Sequence, residues 1–250
     1  MPRITQDQSM ETHAIAGTNF TFQGARLENL GATEYTLVTI AVDVTGSTSD
    51  FADDLRAALV SAVDACKKSP RSDNLLLRVL TFSSTVGINE LHGFKQLEEI
   101  DAAAYPVFRP SGLTPLYDAV YSGIGAMIEY GERLKDDDFL ANAIVFVITD
   151  GDENDSKNTT AGMIRSMVAE ANREEKIESL VSVLIGVNAV QFKDELESFR
   201  QETGIDRYID AGEASKGRLA KLAEFVSRSI SSQSQALGTG GPSQNIAATI

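Results

Sequence analysis

The sequence predicts an α/β fold, a doubly wound, mostly parallel central sheet flanked by helices. Three observations lead there. Val38–Val42 and Ala143–Ile148 are short, near-continuous apolar runs rich in β-branched residues, the pattern of strands buried on both faces. Both runs stop abruptly at an acid, Asp43 in one case and Asp150 of Thr149-Asp150-Gly151 in the other. Around them, apolar residues recur at helical spacing, and strands that alternate with helices call for crossover connections and a parallel sheet.

Taken in order, residues 1–33 are polar and rich in Gly, Thr and Gln, with Phe20, Phe22 and Leu27 as their apolar anchors. They predict an arm with one short edge strand near Phe20–Phe22. A domain spanning 34–231 follows. Its first strand ends at Asp43, and Ser49 or Asp50 then offers a helix N-cap. Phe51, Leu55, Leu59, Ala62 and Cys66 share one side of the next helix, while Asp53, Asp54, Arg56 and Asp64 fall elsewhere. Leu75–Phe82 is a second strand, and Val86–Phe94 supplies a shorter third. After a loop around Pro106–Gly112, Thr114-Pro115 opens a helix, Pro at the first helical position and Thr as the cap. Its buried stripe is Leu116, Val120, Ile124, Met127 and Ile128. Beyond the Ala143–Ile148 strand come a helix over Thr160–Glu174, a strand at Leu180–Gly186 and a helix near Gln191–Glu202. A short strand at Arg207–Asp210 and a helix with the stripe Leu219, Leu222, Val226 and Ile230 complete the domain. Residues 232–250, rich in Ser, Gln, Gly and Ala without a period, predict a disordered tail.

Composition narrows the function. The chain has 250 residues, 42% hydrophobic and 23% charged, enough for a sizeable core. Its net charge of −14 argues against a nucleic-acid backbone or an anionic membrane as partner. A single cysteine, Cys66, excludes an intramolecular disulfide and a cysteine-built zinc site. Neither His13 nor His92 has a metal-type neighbour at helical spacing, so both are expected to be incidental. The N-terminal residues lack the apolar stretch of a secretory signal, and no apolar run approaches the roughly 20 residues that span a bilayer. The expected location is the cytoplasm.

The chemistry lies where the strands end. Asp43-x-Thr45-x-Ser47 puts a carboxylate and two hydroxyls on alternate residues of a loop, with Gly46 expected to permit a tight bend. In an open α/β sheet, ligands sit outside the carboxyl ends of the strands. An all-oxygen donor set without His or Cys suits a hard cation. The plainer alternative is a polar turn whose Ser and Asp cap the following helix. Thr114, at a helix start, and Asp150, at a strand exit, belong to the same edge if their elements are neighbours.

Asp43-x-Thr45-x-Ser47, then Thr114-Pro115-Leu116-Tyr117-Asp118-Ala119, then Thr149-Asp150-Gly151, together resemble the von Willebrand factor A domain family, in which these three loops form the metal-ion-dependent adhesion site. The resemblance covers about Glu34 to Ile230. It implies that Asp43, Thr45, Ser47, Thr114 and Asp150 coordinate Mg²⁺, with Mn²⁺ as an alternative. Thr45 stands where Ser is commoner in the family, and its hydroxyl keeps the capacity to coordinate. The implied activity is capture of a protein partner through an acidic residue of that partner, with Gly46, Gly112, Asp152 and Glu153 as the partner-binding rim. Asp118 is expected as a first-turn helix residue outside the ligand set, and Tyr117 and Phe108 as packing residues. Intracellular members of the family work beside AAA+ ATPases or in kinase–phosphatase systems, and the resemblance extends that expectation here. Two alternatives stand beside it: a metal-dependent hydrolase or phosphatase using Asp43, and a structural subunit whose metal site is unused. The enzyme reading is the weaker, since no Gly-x-Ser-x-Gly elbow or phosphate-cradling glycine loop is present and Thr45 occupies the place of the second acid that an Asp-dependent phosphatase wants.

Overall fold

The two apolar runs lie side by side at the centre of one sheet. A computed structural model describes residues 9–241 and 246–248. In chain order its main elements are β1 (Met10–Ala14), β2 (Thr21–Ala25), β3 (Glu34–Asp43), α1 (Ala52–Lys67), β4 (Leu75–Ser83), β5 (Gly87–Gln96), α2 (Leu116–Asp136), β6 (Leu140–Thr149), α3 (Ala161–Arg173), β7 (Leu180–Gly186), α4 (Lys193–Thr203), β8 (Arg207–Asp210) and α5 (Lys216–Gly238). The sheet has eight strands in the order β1-β2-β5-β4-β3-β6-β7-β8. β4, β3, β6, β7 and β8 are mutually parallel, β5 returns antiparallel to β4, and β1–β2 is an antiparallel hairpin. The predicted doubly wound α/β sheet is therefore present.

Period-two alternation explains why both faces need cover. Val38, Ile40 and Val42 of β3 join Ile144, Phe146 and Ile148 of β6 in a core closed by α1 and α5. Leu37 and Ala41, with Ala143, Val145 and Val147, face a second core closed by α2, α3 and α4. A fully buried aliphatic side chain of this kind stabilises the fold by roughly 2 kcal/mol. Chain order makes β3 the switch point. The loop after β3 leads through α1 to β4 on one side, and the loop after β6 leads through α3 to β7 on the other. The loops after β3 and β6 therefore diverge at the carboxyl edge and leave a crevice between them.

Both ends of the domain differ from expectation. The segment expected to be an arm with one edge strand forms two strands, and its residues 1–8 lie outside the described residues. The hairpin is held by what it meets. Phe22 packs edge-on against Phe94 and Tyr130, which stack on each other at 5.2 Å, and the Tyr130 hydroxyl donates to Ala25 O at 2.5 Å. A Cβ on Gly93 would lie 2.0 Å from Gln23 O, and one on Gly24 would lie 2.6 Å from the Tyr130 ring, so both glycines are needed for close approach. Gln23 N also donates to Glu90, which accepts from Arg78 Nε at 2.6 Å. Arg78 is fully buried, donates to Ser122 O and Oγ, and lies over Phe22. Its charge is tolerated because Glu90 pairs with it and each of its three guanidinium nitrogens meets an acceptor.

At the other end, the expected tail begins as helix. α5 runs to Gly238, seven residues past Ser231, with Gln233, Ser234 and Ala236 buried. Asn142 Nδ2 donates to Gln233 O and Arg71 Nε to Ser234 Oγ, each at 2.9 Å. These anchors are polar and small, so the segment lacks an apolar period although it is packed. Of the remaining tail residues, 242–245 and 249–250 lie outside the described residues. No helix among the described residues is long and apolar enough to cross a membrane.

Candidate metal centre

Three loops meet at the crevice between β3 and β6. The first follows β3. Asp43 is 1% exposed, and its Oδ1 accepts from Thr45 N at 2.8 Å while its Oδ2 accepts from the Thr149 hydroxyl at 2.7 Å. The chain then forms a 3-10 turn over Gly46–Asp50. Neither Ser49 nor Asp50 caps α1; the cap position falls on Phe51, without a side-chain bond, because the 3-10 turn carries the chain directly into the helix. Gly46 lies outside the left-handed region, so the expected bend is not its role. Its N–H donates to Gly112 O at 3.1 Å, and Gly112 takes the left-handed conformation with φ +81°.

The second loop, before α2, is laced to its neighbours through main chain. Ser111 N donates to Val44 O, Ser84 N donates to Leu113 O, and Leu113 N donates to Ser84 Oγ. A Cβ at Gly112 would stand 2.5 Å from the hydroxyls of both Ser84 and Thr85, so space as well as φ requires glycine. α2 begins at Leu116, one residue later than the sequence suggests, with Pro115 at the cap position. Thr114 is buried, and its backbone is fully used: N donates to Asn154 Oδ1 at 2.7 Å, and O accepts from Asn154 N and Asp155 N. The Thr114 hydroxyl lies 3.8 Å from the Cβ position of Gly151 and has no hydrogen-bond partner among the described residues.

The third loop follows β6. Asp150 is 5% exposed, and its Oδ1 accepts from Ser47 Oγ at 2.9 Å; Ser47 Oγ in turn lies 3.1 Å from Thr45 Oγ1. Asp43, Thr45, Ser47 and Asp150 thus form one hydrogen-bonded chain, with Thr114 beside Gly151. Residues more than 100 positions apart in sequence converge here.

The electrostatics of this cluster are unfavourable without a cation. Burial pushes the Asp43 carboxyl up to about 6, against the pull of its bonds from Thr149 and Thr45, and the nearby Asp150 charge pushes the same way as burial. Burial also raises Asp150, opposed by its bond from Ser47. Among the described residues no group of three or more His, Cys, Asp or Glu side chains is placed to hold a metal ion. A cation here would therefore rely on hydroxyls as well as the two carboxylates. That donor set fits a hard divalent ion: all candidate donors are oxygen, one hydroxyl is uncommitted, and among the described residues no basic side chain forms an ion pair with Asp43 or Asp150.

Of the expected rim, Gly46 and Gly112 are exposed and Asp152 is half-buried. Burial raises the Asp152 carboxyl, helped by the charges of Glu195, Glu153 and Glu202. Glu153 is committed to its own loop. Its Oε2 accepts from Tyr117 N and Ser156 Oγ, and its Oε1 accepts from Asp155 N and Ser156 N, at 2.7 to 3.0 Å. Asp118 lies in the first turn of α2 and outside the ligand set. Its buried carboxylate accepts from Lys157 N, from Asn158 N and Nδ2, and from the Thr159 hydroxyl. The two acids fasten the 151–159 loop to the start of α2. Tyr117 stacks on Phe199 at 4.8 Å and Phe108 is buried, so both pack. His92 is structural, stacked on Tyr105 and bonded to its hydroxyl at 2.7 Å. Sequence reasoning missed Thr149, Asn154 and the fastening role of Glu153; for Thr149 the one available signal was a hydroxyl beside Asp150 at a strand exit.

No protein-family model matches the chain, and no curated protein sequence matches it. Solved structures do. Proximal thread matrix protein 1 from the mussel byssus is 18% identical over 80% of this chain and 47% of that one, with a TM-score of 0.52. The same protein with a zinc-occupied MIDAS motif aligns over 81% of this chain and 47% of that one, at 17% identity and a TM-score of 0.50. The pilus adhesin SpaC of Lactobacillus rhamnosus GG is 12% identical over 85% of this chain and 32% of that one, with a TM-score of 0.56. The shared feature is the fold. It is a von Willebrand A-like α/β fold, and the chain spans less than half the length of these matched proteins.

Proposed function

We propose that the chain is a Mg²⁺-dependent protein-interaction module that captures a partner through an acidic residue of that partner. One observation carries the reading: Asp43, Thr45, Ser47, Thr114 and Asp150 gather in the crevice at the sheet's switch point, with Ser47 at the surface. Asp43 and Asp150 would supply the charge that holds the ion, and Thr45, Ser47 and Thr114 its neutral oxygens. A bound divalent cation would supply an electrophilic position for an outside carboxylate oxygen. The protein's own part is to preset the donors. Thr149 and Thr45 N fix both oxygens of Asp43, Ser47 fixes one oxygen of Asp150, and Asn154 fixes the backbone of Thr114.

The same geometry counts against catalysis by Asp43. A nucleophile needs a free, exposed oxygen, and both oxygens of Asp43 are bonded in a nearly inaccessible side chain. A cytoplasmic setting is part of the proposal, in keeping with the single, buried Cys66, and AAA+ ATPase or kinase–phosphatase components are the partners to test first.

Capture from a cytoplasmic extract in Mg²⁺ or in chelator, alongside Mn²⁺ titration by calorimetry, tests the reading. Asp43→Ala and Thr114→Ala are expected to lose at least roughly tenfold in Mn²⁺ affinity and to abolish Mg²⁺-dependent capture while remaining folded. Capture that ignores both chelator and Asp43→Ala would refute the metal bridge. Mn²⁺ binding without any metal-dependent partner would favour a structural subunit with an unused site.

A further inference from the structure

The described residues expose five large hydrophobic side chains: Val86 (44%), Val107 (63%), Leu113 (52%), Leu140 (50%) and Val190 (67%). Single exposed apolar residues are ordinary. Their placement here is not even. Leu140 starts β6 and lies at the amino edge of the parallel strands, whereas Val86, Leu113 and Val190 lie on loops at the carboxyl edge, beside the candidate metal centre, and Val107 lies on the long connection from β5 that returns to that edge. Leu113 directly precedes Thr114 and is tied by two hydrogen bonds to Ser84, and Val86 is in that same β4–β5 turn. Val107 is on the loop that ends in Gly112. Val190 lies on the far flank, in the turn after β7 whose Phe192 comes 4.0 Å from the Cβ position of Gly151.

We infer that this edge is a docking surface for a protein segment whose acidic residue is flanked by aliphatic side chains. The inference rests on the metal-bridge reading and adds the chemistry of the partner to it. A carboxylate reaching the crevice between β3 and β6 brings its neighbours over Leu113 and Val86 on one side and Val190 on the other. Aliphatic neighbours remove those surfaces from water. Acidic neighbours meet Asp152 on the loop after Asp150, beside which Glu195 and Glu202 also stand, and like charges brought together across an interface disfavour binding. The surface thus admits one acid and rejects a cluster of them.

A random-sequence peptide library displayed on phage, selected on the immobilised full chain in Mg²⁺ and again in chelator, tests this directly. The Mg²⁺-dependent binders are expected to carry one Asp or Glu with Leu, Ile or Val beside it. Leu113→Ser combined with Val190→Ser, both at exposed positions, is expected to weaken those peptides at least about tenfold while leaving calorimetric Mn²⁺ affinity unchanged. Acidic binders with polar or charged neighbours, or full affinity in the double variant, would overturn the inference and leave the metal bridge standing. Selection without acidic, Mg²⁺-dependent binders would overturn it as well, and absent Mn²⁺ binding by the unaltered chain would place that failure in the metal reading.

Discussion

Asp43 is the residue in which opposing forces are most evident. Two donors stabilise its charge, yet burial outweighs them and the carboxyl rises from 3.8 to about 6. The sign follows from linkage. A folded-state value above the unfolded one means that the metal-free fold holds a proton that the unfolded chain releases. The resulting stability is complete below about pH 4 and is lost as pH rises through about 6. Above that range the ionised Asp43 costs the metal-free fold roughly 3 kcal/mol, at 1.36 kcal/mol per pKa unit. Asp43→Asn is therefore expected to raise metal-free stability by about 1–3 kcal/mol at pH 7.5, with the gain shrinking at pH 5, while Mn²⁺ binding is lost. Thermal unfolding in chelator at both pH values checks it; a less stable variant at pH 7.5 contradicts it. The donors themselves were legible in the sequence because a carboxylate and hydroxyls at strand exits are unusual in type and place. Thr149 and Glu153 were not, since their roles depend on partners 106 and 36 residues away, and no local pattern encodes those pairings.

At the scale of elements, legibility followed hydrophobic contrast. β3 and β6 announce themselves because both faces are buried, and α1 and α2 because one face is. The β1–β2 hairpin alternates Phe22 with Thr21 and Gln23 and docks through absent side chains, Gly24 and Gly93, which leave little trace in a hydropathy pattern. The extension of α5 was hidden similarly, because Ser234 and Gln233 are held by Arg71 and Asn142 and not by an apolar stripe. Gly93→Ala is the sharpest test of the hairpin. With a Cβ position 2.0 Å from Gln23 O, the backbone has to shift. The variant is expected to lose about 1–3 kcal/mol by the usual scale of overpacking, with hydrogen exchange at residues 10–25 speeding up ahead of the central strands. Uniform loss of protection across the sheet would show that the hairpin and core unfold as one unit.

For the whole molecule, strand order matters more than any single contact. The loop after β3 leads through α1 to β4 and the loop after β6 leads through α3 to β7 on the opposite side, so the loops carrying Asp43 and Asp150 part at the crevice, and α2 begins beside them. A divalent ion held there would bind the folded chain and not the unfolded one. Mg²⁺ at 100 times its dissociation constant is then expected to add about 2.7 kcal/mol, roughly 5–10 °C in melting temperature for a domain of this size. The shift should fade at pH 5, where a proton competes for Asp43, and vanish in Asp43→Ala; differential scanning calorimetry across Mg²⁺ concentration and pH measures it. The lacing of the second loop has a further consequence. Gly46 N to Gly112 O, Ser111 N to Val44 O and Ser84 N to Leu113 O are main-chain bonds, indifferent to which side chains project from the loop. If the proposed docking holds, the framework of the crevice and the side chains that would select a ligand are separate features of this chain. Exchanging the outward residues at 86, 113 and 190 would then change which ligands the proposed module accepts without rebuilding its framework.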